Sequence, residues 1–219
     1  MDKRGMIGFS LMVAGAALVI FAVLQYAGHQ AGMKEALAEA NALVRPSDAD
    51  ALPVEPSAAD EPVRMADVSY RAREPLVDRG DFRPQPNEVI GKLAIPKLET
   101  ELPIIEGTDE EMLARGVGHY SGTVFPSDDE QIVLSGHRDT VFRNFDRLAV
   151  GDRFVVKLPY GEFEYEIRST DIVDKDDTTV IRSMGTEVLV VTTCYPFRYI
   201  GDAPERFIVY AYPVDGENS

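Results

Sequence analysis

The sequence contains a single cysteine, Cys194, and no tryptophan among its 219 residues. One cysteine cannot form a disulfide within the chain, and it excludes a zinc site built from several cysteines. Basic residues are also scarce, since 22 Lys and Arg face 37 Asp and Glu, which gives a formal net charge of −15. Nucleic-acid binding needs a positively charged surface, so this balance argues against a nucleic-acid partner. Hydrophobic residues make up 45% of the chain, which is typical of a globular protein.

Residues 5–27 carry no charge and are mostly apolar. About 20 such residues cross a bilayer as a helix, so we predict a retained transmembrane helix. A cleaved signal peptide is the alternative, but its apolar region spans only about 7–15 residues; a buried soluble helix is a second alternative. Lys3 and Arg4 precede the stretch, and the positive-inside rule then places the N-terminus in the cytoplasm and the remainder outside the cell membrane.

The rest of the chain divides by composition into three parts. Residues 28–44 are rich in Ala, Leu and Glu, which favours a juxtamembrane helix acting as a plain stalk. Residues 45–87 contain seven prolines among acidic and basic residues, and this composition predicts an extended tether. Residues 88–219 form the predicted globular domain.

Short runs rich in Val, Ile, Phe and Tyr, separated by Gly, Pro and Asp, fill the globular domain. They predict a mainly β fold, a closed barrel or a sandwich, with short helices only at 109–115 and near 142–148. Residues 153–158 and 162–173 are predicted to form a hairpin. The predicted strands span residues 89–95, 102–106, 131–136, 153–158, 162–173, 187–193 and 206–212.

Acidic clusters at 109–111, 128–130 and 174–177 are candidate Ca²⁺ ligands. None has the ordered ligand spacing of a calcium-binding loop, so we interpret them as a solvated surface and predict no metal site.

The single cysteine follows the apolar run 188–193 and precedes Tyr195 and Pro196, where the chain must leave the sheet. A side chain at a strand end is held firmly and still reaches a groove, as a nucleophile requires. A free cysteine is often only a small buried hydrophobe, and a thiol outside the cell can also link two chains, so these alternatives remain open.

His137 also follows an apolar strand, residues 131–134, and is followed by polar residues. If the two strands are parallel or end on the same rim, His137 and Cys194 face one groove, where an imidazolium can lower the thiol pKa and protonate a leaving group. A loop histidine, or one hydrogen-bonded in the core, is the alternative for both His137 and His119.

Arg206 begins the strand after Cys194, and a hairpin-like return brings its guanidinium to the same rim. There it can stabilise the oxyanion of an acyl-transfer intermediate. A surface arginine paired with Glu205 or Asp202 is the alternative.

The segments GHRDTVF, VVTTCYPF and YIGDAPERFIVYA together resemble the three motifs of sortases, the cysteine transpeptidases of bacterial surfaces, and class D sortases in particular. The resemblance covers residues 88–213. It implies a closed sortase-type β-barrel of about seven to eight strands, with Cys194 as nucleophile, His137 as the catalytic histidine and Arg206 as the essential arginine. The sequence departs from the family's Thr-Leu-x-Thr before the cysteine, because Val190-Val191-Thr192-Thr193 stands there.

The resemblance further implies cleavage of a C-terminal sorting signal like Leu-Pro-x-Thr-Gly/Ala through a thioester, without ATP, cofactor or metal. The acyl group would pass to an amine acceptor such as a cell-wall precursor or a pilin lysine. Two other functions remain open: a surface cysteine hydrolase that releases proteins, and a non-catalytic, membrane-tethered binding barrel.

Overall fold

A computed structural model describes residues 3–44, 77–199 and 201–214. Two helices and eight strands occur in this part of the chain, joined by short 3-10 turns. The helices are α1 (Lys3–Leu43) and α2 (Glu110–Arg115). The strands are β1 (Val89–Ile95), β2 (Thr100–Glu106), β3 (Val117–His119), β4 (Gln131–Gly136), β5 (Arg153–Leu158), β6 (Gly161–Asp174), β7 (Val188–Tyr195) and β8 (Glu205–Pro213).

The strands close into one barrel in the order β1-β2-β3-β4-β7-β8-β6-β5. Two neighbouring pairs, β2/β3 and β4/β7, are parallel, and the others are antiparallel. A parallel pair needs a long crossover connection, and for β4 and β7 the β5–β6 hairpin lies within that connection. Closure leaves no unpaired strand edge in the sheet.

Alternation along the strands separates an interior from an outer face. In β6, Phe163, Tyr165 and Ile167 point inward, whereas the acidic residues between them do not. The interior is filled by aromatic and branched aliphatic side chains, which provide the hydrophobic stabilisation of the fold. The largest fully buried side chains of the interior include Tyr165, Phe142, Phe145, Phe154, Leu93, Ile95, Ile104, Ile132, Leu134, Ile167 and Leu189.

The C-terminal part of α1 packs against the outside of the barrel. Ala36 and Ala40 are completely buried there, in one cluster with Val89, Ile105 and Met112. Alanine adds little bulk, so the helix approaches β1 and β2 closely. A hydrogen bond of 3.0 Å from Lys92 Nζ to Asn41 Oδ1 reinforces the contact. The segment predicted as a plain stalk is therefore docked on the barrel.

The N-terminal part of α1 projects from the barrel with exposed apolar side chains. Leu18, Phe21 and Leu24 are each at least 61% exposed. Among the described residues, one helix is long and apolar enough to cross a membrane, the part of α1 spanning Met12–Leu43, and its apolar window is not buried against the rest of the chain. The helix runs without interruption from the predicted membrane segment into the predicted juxtamembrane helix.

The last residues of the predicted tether also contact the barrel. Phe82 is buried, with its ring 5.2 Å from Phe125 and 5.1 Å from Tyr160. The guanidinium of Arg79 lies over the Phe125 and Tyr160 rings and pairs with Asp128. Residues 45–76 of the predicted tether lie outside the described residues.

The prediction of a mainly β, closed barrel of about seven to eight strands is confirmed. Each predicted strand is present with shifts of one or two residues at its ends, and residues 153–158 and 161–174 form the predicted hairpin. The three-residue strand β3 was not predicted. Near residues 142–148 the structure has only a 3-10 turn, Phe145–Arg147.

Docking of α1 predicts that Ala40→Leu destabilises the protein, because added volume in a filled contact forces the helix away from β1 and β2. We expect the free energy of unfolding to fall by about 1–3 kcal/mol. Denaturant unfolding of the full chain in detergent measures this change. Ala38→Leu, on the exposed side of the same helix turn, is the matched control, since Ala and Leu have similar helix propensities. Equal effects of the two substitutions would contradict the docked arrangement.

Candidate functional site

Cys194 lies on the outer face of the barrel near the end of β7. Leu189 and Val191 belong to the barrel interior, whereas Val188 and Val190 pack in a separate cluster outside it. Since side chains alternate along a strand, Cys194 shares the outer face with Val188 and Val190. Its thiol is free and the residue is partly exposed.

The parallel pairing of β4 with β7 brings His137 next to Cys194. Gly136, the last residue of β4, pairs with Thr193. The next residues on the two strands are His137 and Cys194, which the register places side by side. The Thr193 hydroxyl donates a hydrogen bond of 2.7 Å to the Gly136 carbonyl oxygen, and this bond fixes the strand ends to each other.

The imidazole of His137 is one-third exposed at the rim. Its Nε2 lies 3.6 Å from Glu110 Oε1, at the start of α2. Because the Glu110 carboxylate is 85% exposed, water screens this pair strongly.

Arg206 lies directly opposite Cys194 in the antiparallel β7–β8 pair. Paired residues in adjacent strands point to the same face, so the guanidinium and the thiol share the outer face. Arg206 Nη1 donates to the carbonyl oxygens of Ala203, at 3.2 Å, and Glu205, at 3.0 Å. Asp202, an alternative partner for Arg206 in the sequence analysis, accepts a bond from Lys175 at 2.9 Å instead.

A separate apolar cluster lies on the outer faces of β4, β7 and β8. Its buried members are Val133, Val180, Val188, Val190 and Ile208. Val180 comes from the β6–β7 loop, residues 175–187, which covers part of this surface. These side chains are buried, so the cluster stabilises the strands beside Cys194 and is not open to a ligand.

Polar contacts from the start of β4 hold the β6–β7 loop. Glu130 accepts hydrogen bonds from Ser183 Oγ at 2.6 Å and from the Met184 amide at 2.5 Å. These two donors hold the pKa of the Glu130 carboxyl below its usual value. Gln131 adds a bond of 2.8 Å to the Val180 carbonyl oxygen. Glu130, one of the three residues of this acidic cluster, thus serves to fix a loop.

Arg138 lies in the site region, and no role for it was predicted from the sequence. It is buried, and its guanidinium binds backbone carbonyls in the loop between β7 and β8. The position next to His137 in the GHRDTVF segment was the available signal, but its distant partners could not be recognised from the sequence.

His119 is a buried histidine on β3, outside the Cys194 region. Its Nδ1 lies 2.7 Å from Glu106 Oε2, and its Nε2 lies 3.0 Å from the Val124 carbonyl oxygen. Of the alternatives considered for His119, the core histidine is the one observed. Within the described ranges, no cluster of three or more His, Cys, Asp or Glu side chains is arranged to hold a metal ion.

Comparison with known proteins shows that this chain is similar to sortases. The sortase-domain family model matches residues 93–214. Sortase D of Bacillus subtilis (strain 168) is 52% identical over 134 residues, which are 61% of this chain and 68% of that protein. Sortase A of Bacillus anthracis is 24% identical over 126 residues, 56% of this chain and 58% of that protein.

Solved structures show the same likeness. Sortase C1 of Streptococcus agalactiae matches with a TM-score of 0.55 and 30% identity, over 60% of this chain and 70% of that one. A sortase D5 transpeptidase of Clostridium perfringens matches with a TM-score of 0.54 and 26% identity, over 60% of this chain and 82% of that one.

The Thr193–Gly136 hydrogen bond predicts that Thr193→Val destabilises the protein, because valine keeps the shape and loses the buried donor. We expect the free energy of unfolding to fall by about 1 kcal/mol in urea denaturation. Thr193→Ser keeps the hydroxyl and should lie closer to the wild type. A serine variant as unstable as the valine variant would show that the methyl group, and not the hydrogen bond, matters at this position.

Proposed function

This chain belongs to the sortase family, a family of cysteine transpeptidases, and on that premise we propose that it cleaves a C-terminal sorting signal and transfers the protein to an amine. We assign Cys194 as the nucleophile, His137 as the proton donor and Arg206 as the residue that binds the oxyanion or the substrate carbonyl.

One observation carries this assignment. The strands β4 and β7 end, and β8 begins, at one level of the barrel, where the strand register aligns His137, Cys194 and Arg206. These residues are separated in the sequence, and the strand register alone brings them together. A nucleophile, an acid and a fork of hydrogen-bond donors are the groups that acyl transfer requires.

In the proposed first step, the Cys194 sulfur attacks the carbonyl carbon of the scissile peptide bond. The carbonyl oxygen gains negative charge, which the Arg206 guanidinium can stabilise with donors not used by its loop carbonyls. The C–N bond then breaks, and the departing nitrogen takes a proton from His137. A thioester between Cys194 and the substrate remains.

In the second step, the nitrogen of a primary amine attacks the thioester carbon. The amine gives up a proton to the neutral His137, the C–S bond breaks and the Cys194 thiolate is released. The new amide bond forms without another energy source, because the thioester has kept the reactivity of the original bond. Water in place of the amine gives hydrolysis.

The proposed donor is an extended peptide resembling Leu-Pro-x-Thr-Gly/Ala. Support comes from the match of residues 93–214 to the sortase-domain model. The proposed acceptor is an amine of the cell surface, such as a cell-wall precursor or a pilin lysine. The likeness to a sortase D supports class D membership.

We further propose that α1 anchors the enzyme in the cell membrane, with the N-terminus in the cytoplasm and the barrel outside. The exposed apolar side chains of α1 support this arrangement, as do Lys3 and Arg4 at its start. Docking of α1 on β1 and β2 would hold the barrel close to the membrane surface, where membrane-bound substrates are found.

Cys194→Ala tests the nucleophile directly. The full chain in detergent is incubated with a Leu-Pro-x-Thr-Gly/Ala peptide library and an added primary amine, and protein and product masses are measured. We expect a thioester adduct and an amine-ligated product with the wild type, and neither with the alanine variant. Cleavage of the peptide by Cys194→Ala above that in an enzyme-free blank would refute the assignment.

The same measurement separates the alternatives. A cleaved but unligated product, independent of added amine, would indicate a hydrolase. No adduct, together with a thiol that resists alkylation in the folded protein, would indicate a binding barrel.

Arg206→Lys should lower kcat/KM by roughly a hundredfold, because an ammonium point charge cannot replace the planar fork of donors in stabilising an oxyanion. Arg168→Lys is the control, since Arg168 is exposed on β6 and pairs only with its neighbour Glu166 among the described residues. Equal kinetics for the two lysine variants would remove Arg206 from the proposed mechanism.

A further inference from the structure

We propose that Arg138 is a positioning residue for the transpeptidation: its buried guanidinium fixes the loop between β7 and β8, described at residues 196–199 and 201–204, and through this loop the orientation of Arg206. The inference rests on the proposed function, because it concerns the placement of a proposed catalytic group.

The guanidinium of Arg138 binds the loop at both of its terminal nitrogens. Nη1 donates to the Pro196 carbonyl oxygen at 2.8 Å. Nη2 donates to the carbonyl oxygens of Tyr199, at 2.9 Å, and Gly201, at 3.3 Å. The Tyr199 ring also lies against the guanidinium, 5.8 Å from its carbon to the ring centroid. One side chain therefore holds the loop at three points.

Arg138 belongs to the turn that follows β4, and this turn is anchored in the barrel core. The His137 carbonyl oxygen accepts a hydrogen bond of 3.1 Å from the Phe142 amide. Phe142 is completely buried in the barrel core. The turn that presents His137 and the group that holds the β7–β8 loop are thus one structural unit.

Burial gives the contact its strength. Arg138 is 7% exposed, and the nearest carboxylate, that of Asp139, is 74% exposed and 3.5 Å from Nε. The loop carbonyls are therefore the main partners of this buried charge. Removing the guanidinium would leave the loop carbonyls without these hydrogen bonds, and buried polar groups without partners destabilise a protein.

The loop in turn determines where Arg206 points. Arg206 Nη1 donates to the carbonyl oxygens of Ala203, in the loop, and of Glu205, the first residue of β8. The Cys194–His137 neighbourhood is fixed differently, by the β4–β7 register and the Thr193–Gly136 bond. Loss of Arg138 should therefore misplace Arg206 while the thiol and the imidazole stay together.

Arg138→Lys separates geometry from charge, because lysine keeps the positive charge but cannot bind several carbonyls as a planar fork. In the full chain in detergent, we expect kcat/KM for peptide ligation to fall by about tenfold to a hundredfold. Hydrogen exchange in the segment 196–204 should rise by about tenfold. The pH profile of Cys194 alkylation should stay that of the wild type.

Arg143→Lys is the matched control. Arg143 lies in the same turn, is exposed, and donates only to the Asp139 carbonyl oxygen of that turn among the described residues. We expect its kinetics and loop exchange to match those of the wild type. Arg138→Met removes the charge as well and should have at least the effect of the lysine variant; should it not fold, the lysine variant carries the test.

Each outcome decides the proposal. Wild-type turnover in Arg138→Lys would overturn it, and so would a loss of turnover without faster exchange in the loop. A changed alkylation profile would show that Arg138 acts on the Cys194–His137 pair instead. Failure of the proposed function appears separately, as wild-type protein that forms no thioester, and loop exchange still reports whether Arg138 fixes the loop.

Discussion

The in-register parallel pairing of β4 and β7 is the constraint on which the site depends. Gly136 opposite Thr193 sets the neighbourhood of His137 and Cys194, which follow them. A slip of one residue in β4 or β7 would move His137 or Cys194 to the other face of the sheet, because side chains alternate with a period of two. The interior packing of Leu189 and Val191 opposes such a slip, since it would expose them. Core packing and site geometry are thus fixed by the same register.

The segments connected to β4 and β7 place the remaining groups of the site. The β5–β6 hairpin lies in the crossover that a parallel pair requires, and the return into β8 places Arg206 opposite Cys194. Arg138 joins the turn after β4 to the β7–β8 loop through backbone carbonyls. Elsewhere on the barrel, α1 docks on β1 and β2, so the apolar N-terminal helix and the barrel are connected through a packed contact.

Much of the fold and the three proposed catalytic residues could be predicted, and the failures have physical reasons. Alternation in β6 revealed its inward face, and the strand-end positions of His137 and Cys194 pointed to a shared rim. Strand β3 is too short, at three residues, to show a pattern. The docked face of α1 gave no signal, because the buried Ala40 and the exposed Ala38 are the same residue type. Near Phe82, a proline-rich composition typical of a tether concealed a segment that finds aromatic partners on the barrel.

Features with local signals are readable from the sequence: an uncharged apolar helix, strands with alternating side chains, and a cysteine, a histidine and an arginine at strand ends. The neighbours of each strand, the face that each side chain occupies and the carbonyls that Arg138 binds depend on the folded barrel. The reason is the range of the interactions. The Thr193–Gly136 bond joins residues 57 positions apart and the bonds of Arg138 span 58 to 63 positions. Such contacts form only when the whole barrel closes, so no window of sequence contains them.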